Sequence, residues 1–238
     1  GFNLMDNFKR PYFSRNIVEI WKRWHISLST WFRDYVYIPL GGNRIGKFRT
    51  LFNVLVTFFL SGLWHGAQWS FVIWWVLHGM FVVMSLLTKN IRQRFVALIH
   101  LEASPRLHKG LQVLMTFSLV SFAWIFFRAD SIGTAFTIIR KMGSGLWHTA
   151  GAFFAGNMTL FFELLTGPDL GIGRVGFLIA ILSIVLLEIF HGIQRHGSIR
   201  HMIRGKPAWF RWTLYYAVII MIAVFGVFQE VPFIYFQF

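Results

Sequence analysis

The chain has 238 residues, 56% of them hydrophobic, 19% aromatic and 13% charged, with a mean hydropathy of +0.57. A soluble domain carries roughly 25% charged residues, so disorder, a coiled coil and an ordinary soluble enzyme are excluded together. The net charge of +14, from 23 Lys and Arg against 9 Asp and Glu, would ordinarily suggest nucleic acid; on so apolar a chain it indicates a membrane protein with basic loops and no nucleic-acid partner. The sequence starts at Gly1 and shows no signal peptide, so we expect it to be part of a longer protein. With no cysteine, disulfides, thiolate metal ligands and a cysteine nucleophile are excluded.

In chain order, Asn16 with Glu19 three residues on predicts a capped helix start. Trp21, Trp24, Leu28, Trp31, Phe32 and Tyr35 then follow the 3.6 period of an amphipathic helix, with Lys22, Arg23 and Arg33 on the other side. Pro39 and Gly41-Gly42 end the run. Basic residues opposite Trp, Phe and Leu suit a helix lying in the membrane interface; a helix buried against other helices is the alternative.

Leu51 to Leu87 contains no Asp, Glu, Lys or Arg. It is longer than the ~20 residues of one span, and Ser61-Gly62-Leu63-Trp64-His65-Gly66 interrupts it with two glycines. We expect a hairpin of a short arm at 51–64 and a full span at 68–87, with Gly62 and Gly66 leaving backbone space for a substrate. Residues 103–109 form a polar connector. Further spans are expected at 111–127, 172–190 and 213–229. Asp130 and Ser131 predict a capped helix over 132–142 closed by Gly143. The fold class is all-α: a polytopic membrane protein with an amphipathic interfacial helix and a broken-helix hairpin.

The stretch 151–166 is apolar enough to be ambiguous, and the charges decide it. Segment 1–50 holds nine Lys and Arg, loop 88–110 five, loop 191–211 five, and the long stretch 128–174 only four. Lys and Arg concentrate in cytoplasmic loops, so 1–50, 88–110 and 191–211 are expected on the cytoplasmic face. A crossing at 151–166 would put 191–211 outside, so that stretch is expected to be interfacial or re-entrant. A reporter near Gly167 should then read external and one near His201 cytoplasmic.

Within 51–87 the residues that titrate near neutrality are His65 and His78. An ionisable group at membrane depth is a candidate site, and histidine can sit there neutral and still move a proton. His65 lies at the helix break, where broken helices line cavities; catalysis and a simple hydrogen bond to a neighbouring carbonyl both remain open. For His78, mid-span in Trp74-Trp75-Val76-Leu77-His78-Gly79, an interhelical hydrogen bond is the expected role. His25 is expected to be an interfacial histidine, and His100, His108, His148, His191, His196 and His201 to lie in solvated loops. No Asp, Glu or Cys completes a metal site near the histidines, so no metal is expected. Neither a Lys-Ser/Thr phosphate loop nor a Gly-x-Ser-x-Gly elbow occurs.

The run Trp21-Lys22-Arg23-Trp24-His25-Ile26-Ser27-Leu28-Ser29-Thr30-Trp31-Phe32-Arg33-Asp34-Tyr35, continued by Ile38-Pro39-Leu40-Gly41-Gly42-Asn43-Arg44, resembles the signature of bacterial membrane-bound O-acyltransferases (MBOAT). So does Gly62-Leu63-Trp64-His65-Gly66-Ala67, and so does Phe122 to Asp130. Their order looks like the alginate O-acetyltransferase branch, whose relatives include peptidoglycan O-acetylases and the D-alanyl transfer protein of teichoic acid. The strong part covers residues 7–131. The resemblance implies an MBOAT-like helical bundle in a bacterial inner membrane, of which 1–238 would be the C-terminal half. It makes His65 the catalytic histidine and His25 a second motif histidine. Trp64, Trp24, Arg33, Asn43, Arg44 and His78 become candidates for substrate binding.

Acyl transfer to a hydroxyl needs a base near the hydroxyl and an acyl donor within reach. No bound cofactor is expected. The donor would be a cytoplasmic thioester such as acetyl-CoA or an acyl-carrier thioester; Arg33, Arg44 and Lys47 are candidates for drawing its phosphates, with ordinary anchoring at the inner face as the alternative. The acceptor would be a cell-surface polysaccharide, with an outer-face acyltransferase partner protein to pass the group on. Rival readings are a proton-coupled transporter or channel subunit, and a structural assembly subunit.

Overall fold

A computed structural model describes residues 4–66, 68–166, 173–194 and 199–226. Ala67, Gly167, His196, residue 172 at the start of the third expected span and residues 227–229 at the end of the fourth lie outside them. Among the described residues every regular element is helical, and the protein is an all-α, multi-pass membrane protein. Four helices are long and apolar enough to cross a membrane: Trp69–Leu87, Pro105–Arg128, Val175–Gln194 and Ala208–Phe225. The chain divides into two compact units at residues 143 and 144.

The first unit holds α1 (Ile17–Trp21), α2 (Ile26–Phe32), α3 (Lys47–His65), α4 (Trp69–Leu87), α5 (Lys89–Leu98) and α6 (Pro105–Arg128). Helix α4 is its centre and packs against α3, α6 and α1. At 19 residues it is about 28 Å long, close to the ~30 Å of a hydrocarbon core. Helix α6 begins six residues before the expected span. Pro105 sits at its first turn, where a missing N–H costs nothing, so the basic turn Arg106–Lys109 is helical too.

The α3–α4 hairpin is tight because two glycines let the backbones meet. A Cβ on Gly62 would lie 3.0 Å from the Val72 Cα and 3.1 Å from the Trp75 Cβ; one on Gly79 would lie 2.9 Å from the Phe58 Cβ. The space expected to admit a substrate at Gly62 is therefore filled by α4, as small residues do at membrane helix interfaces. Gly66 ends α3 at φ 143°, a conformation open to glycine.

The amphipathic run is not one helix. It breaks at residues 22–25 between α1 and α2, and a wider π turn follows over Arg33–Tyr37. The cap at Asn16 forms, its Oδ1 accepting from the Glu19 N–H at 2.9 Å. Beyond the break the face splits: Phe32 is buried, while Trp31 and Tyr35 are exposed with rings 5.3 Å apart. The core gathers Trp74, Trp75, Ala123 and Phe126 with Trp21 and Phe58 against them, and Ile17, Ile20, Val54, Val82 and Val120 beside Trp24.

Helix α7 (Ile132–Phe154) starts as expected, with the Ser131 Oγ accepting from the Thr134 N–H at 3.1 Å. It does not stop at Gly143. That glycine takes no positive φ, and nothing lies within 4 Å of its Cβ position, so the helix runs through it. In the second unit, α8 (Met158–Thr166) has nine residues, about 13 Å, short of a span. It packs on α9 (Gly173–Gln194). Helices α10 (Ile199–Arg204) and α11 (Ala208–Phe225) follow. The apolar side chains Leu178, Ile184, Ile219 and Ile220 are exposed on α9 and α11, as lipid-facing residues are.

Candidate active site

A polar stripe runs along one face of α3. Asn53, Thr57, Ser61 and His65 recur every four residues, and each of the last three bonds the carbonyl four residues back. The His65 Nδ1 lies 2.9 Å from the Ser61 oxygen. A carbonyl only accepts, so Nδ1 carries the proton in this bond and Nε2 is the basic nitrogen of the neutral ring. The ring is 6% exposed and sits where α3 ends.

His25 is placed by different means. It occupies the turn between α1 and α2 with left-handed backbone, φ 46° and ψ 53°, a region that non-glycine residues enter at a cost. A segment 16 to 18 residues earlier holds it there. The Asn7 Oδ1 accepts from the Ser27 N–H at 3.1 Å and the Ser27 Oγ at 2.9 Å. The Asn7 carbonyl accepts from the Ile26 N–H at 3.0 Å, and the Lys9 N–H donates to the Arg23 carbonyl at 2.8 Å. Asn7 thus caps α2 from a distance, where His25 itself makes no side-chain cap. Burial pushes the His25 imidazole below the ordinary histidine range.

These two supports bring the imidazoles together. The His25 and His65 ring centroids are 6.4 Å apart and the planes cross at 88°. Trp64 lies 4.9 Å from the His65 ring and is 62% exposed. Trp75 lies 4.7 Å away on the buried side, and Phe32 packs on Trp64 at 6.4 Å. The result is a histidine pair with a buried aromatic wall behind it and an exposed indole before it. Among the described residues no group of three His, Asp or Glu side chains converges to hold a metal ion.

The other expected residues lie elsewhere. Trp24 turns to Phe8, Tyr12 and Trp124. Arg33 is exposed and donates to its neighbour Asp34 at 2.7 Å; that bond holds the Asp34 carboxyl below its usual range. Asn43 and Arg44 are exposed on the turn after the π segment. Asn53 fixes that turn, its Nδ2 donating to the carbonyls of Leu40 and Gly42, both at 3.0 Å. Asn53 and His65 are twelve residues apart on α3, or about 18 Å along the axis. His78 lies behind the wall, its ring 5.0 Å from Trp21. Sequence reasoning missed Asn7, Asn53 and Trp75. Asn53 fits the four-residue stripe that ends at His65, while Asn7 carries no local signal.

Residues 4–129 match the family model described as MBOAT, membrane-bound O-acyltransferase family. Over 148 residues the chain is 42% identical to the probable alginate O-acetylase AlgI of Azotobacter vinelandii, covering 62% of this chain and 28% of that protein. It is 38% identical over 142 residues to the peptidoglycan O-acetyltransferase of Helicobacter pylori, covering 60% and 25%. It is 38% identical over 92 residues to the teichoic acid D-alanyltransferase of Streptococcus thermophilus, covering 36% and 22%. In each case the match spans less than a third of the relative's length. With the family model matching more than half of the chain, and with both histidines and their supports inside the matched residues, the chain belongs to the membrane-bound O-acyltransferase family.

Proposed function

We propose that the protein transfers an acyl group from a cytoplasmic thioester to a hydroxyl at membrane depth in the bacterial inner membrane, with His65 as general base. The observation that carries this is the Ser61 carbonyl on the His65 Nδ1, which leaves Nε2 as the proton acceptor. In the step, the acceptor oxygen attacks the thioester carbonyl carbon as Nε2 takes its proton. The tetrahedral intermediate then expels the thiolate, which takes the proton back from the imidazolium, giving ester and thiol. A positioned base of this kind contributes about 10²–10⁴-fold. His25 faces the same space and is suited to contact the substrate oxygen opposite His65.

The turn carrying Asn43 and Arg44, with Lys47 beyond it, suits the anionic end of a donor such as acetyl-CoA or an acyl-carrier thioester. A donor bound there would need an arm of about 18 Å to reach His65 along α3. The relatives' names support a polysaccharide acceptor, and an outer-face partner that relays the group fits the same reading. Segments 1–50, 88–110 and 191–211 would then face the cytoplasm. The test is a membrane-vesicle assay of the full-length protein with an acyl-labelled thioester. Alkali-labile label on a hydroxyl-bearing acceptor, with one free thiol released per ester, is expected. Uptake of intact thioester without thiol release would contradict the proposal and favour a transporter.

A further inference from the structure

The basic loop expected over 88–110 opens with helix α5, whose apolar side chains are uncovered. Ile91, Phe95 and Leu98 are 68%, 59% and 76% exposed, and Ile99 at the C-cap is exposed too. At about 100° per residue these four fall within roughly a third of the helix circumference. Arg94 adjoins one edge of that face and Arg92 the other, while Lys89 and Gln93 lie opposite. Among the described residues neither arginine reaches a carboxylate. The sequence holds no Asp or Glu from Leu51 to Leu101, and between 88 and 110 one acid, Glu102, stands against five Lys and Arg.

The chain keeps this face next to the bilayer. Thr88 is both the C-cap of α4 and the N-cap of α5, so no connector separates α5 from a span. The Arg92 Nη2 reaches back to donate to the Ser85 carbonyl at 2.7 Å and the Ser85 Oγ at 3.3 Å, tying the start of α5 to the last turns of α4. Met84, Leu86 and Leu87, exposed at the end of that span, lead directly into Ile91. The uncovered face of α5 therefore continues a lipid-facing surface. An apolar face edged by cations suits the boundary between headgroups and acyl chains, where long basic side chains hold their charge at phosphate level. We propose that α5 lies in the membrane interface and binds anionic phospholipid. Ile91, Phe95 and Leu98 enter the acyl boundary, and Arg92 and Arg94 contact headgroup phosphates on the two flanks. A zwitterionic lipid would satisfy the apolar face but not the uncompensated charge. The lipid contact anchors the end of α4, the helix that carries Trp75 behind His65.

The test uses the full-length protein in nanodiscs containing phosphatidylglycerol, with a nitroxide placed in turn by Lys89→Cys, Ile91→Cys, Gln93→Cys, Phe95→Cys and Leu98→Cys. Labels at 91, 95 and 98 should be relaxed by oxygen, which dissolves in lipid, and labels at 89 and 93 by a water-soluble nickel chelate. Chelate access at all five positions would put the helix in water, and access of neither relaxant at 95 would put it under protein; each result overturns the proposal. The charge is tested by native mass spectrometry of lipids retained in detergent. Arg94→Gln, whose side chain is exposed, should weaken phosphatidylglycerol binding roughly 5-fold and leave phosphatidylcholine binding at the parent's level. Unchanged binding of phosphatidylglycerol, or equal loss of both lipids, would remove the headgroup contact. Neither measurement reads acyl transfer, so the proposal stands or falls separately from the acyltransferase reading.

Discussion

His25 and His65 face one another with 6.4 Å between ring centroids and ring planes at 88°, one carried on a left-handed turn and the other at the end of a helix. The rings are too far apart to stack, and one substrate oxygen between them can touch both. If the His25 ring contacts substrate, His25→Asn should lower kcat/KM at least about 10-fold, by losing an interaction of roughly 1.4 kcal/mol. Asparagine tolerates left-handed backbone, so the melting temperature should stay near that of the parent. His25→Val should lose about 1–3 kcal/mol of stability besides, because a branched residue is strained there. Transfer assays and thermal unfolding in detergent separate the two effects.

Asn7 is predicted to act through His25. Asn7→Ala removes the acceptor of both the Ser27 N–H and the Ser27 hydroxyl. It should cost about 1 kcal/mol, the range of a lost helix cap, and lower transfer by loosening the turn that aims the imidazole. Asn7→Asp keeps an acceptor at a helix start that favours negative charge and should restore most of both. Equal loss in the two variants would remove Asn7 from this role.

The turn at Leu40–Arg44 tests donor binding. Asn53→Leu abolishes both bonds to the Leu40 and Gly42 carbonyls while the Ser61–His65 bond remains. Each unmade bond is worth about 1 kcal/mol, so a several-fold rise in the thioester KM is expected with kcat little changed. A fall in kcat alone would place the effect at the histidine pair and not at the turn.

The α3–α4 contact makes a steric prediction. Gly62→Val and Gly79→Val press new methyl groups against Val72, Trp75 and Phe58 and should cost about 1–3 kcal/mol by overpacking. Gly143→Ala, with open space at its Cβ, should be neutral or gain up to about 1 kcal/mol from helix propensity. Detergent melting curves of the three variants provide the comparison.

What the sequence disclosed and what it hid follow one division. Apolar runs and Gly66 are local signals, and they indicated the spans and the break after His65; Gly62, expected to interrupt the helix, lies within α3 and seats α4 instead. The break at residues 22–25 is not local: the clamp reaches from Asn7 and Lys9 to Ile26, Ser27 and Arg23, and hydrophobic period alone runs straight through it. Gly143 was misleading for the converse reason. A glycine ends a helix only where the chain turns left-handed, and there it does not. His65 stood out because it was ionisable at a helix break; Trp75, which backs its ring, and Asn53, which holds the Leu40–Gly42 turn, look like ordinary interior residues until the hairpin closes.

The most direct measurement is His65→Ala in the full-length protein, with surface O-acyl groups and membrane protein level read together. The account predicts that acylation falls about 10²-fold or more, the contribution of a positioned base, at unchanged abundance. Normal acylation at normal abundance would contradict it.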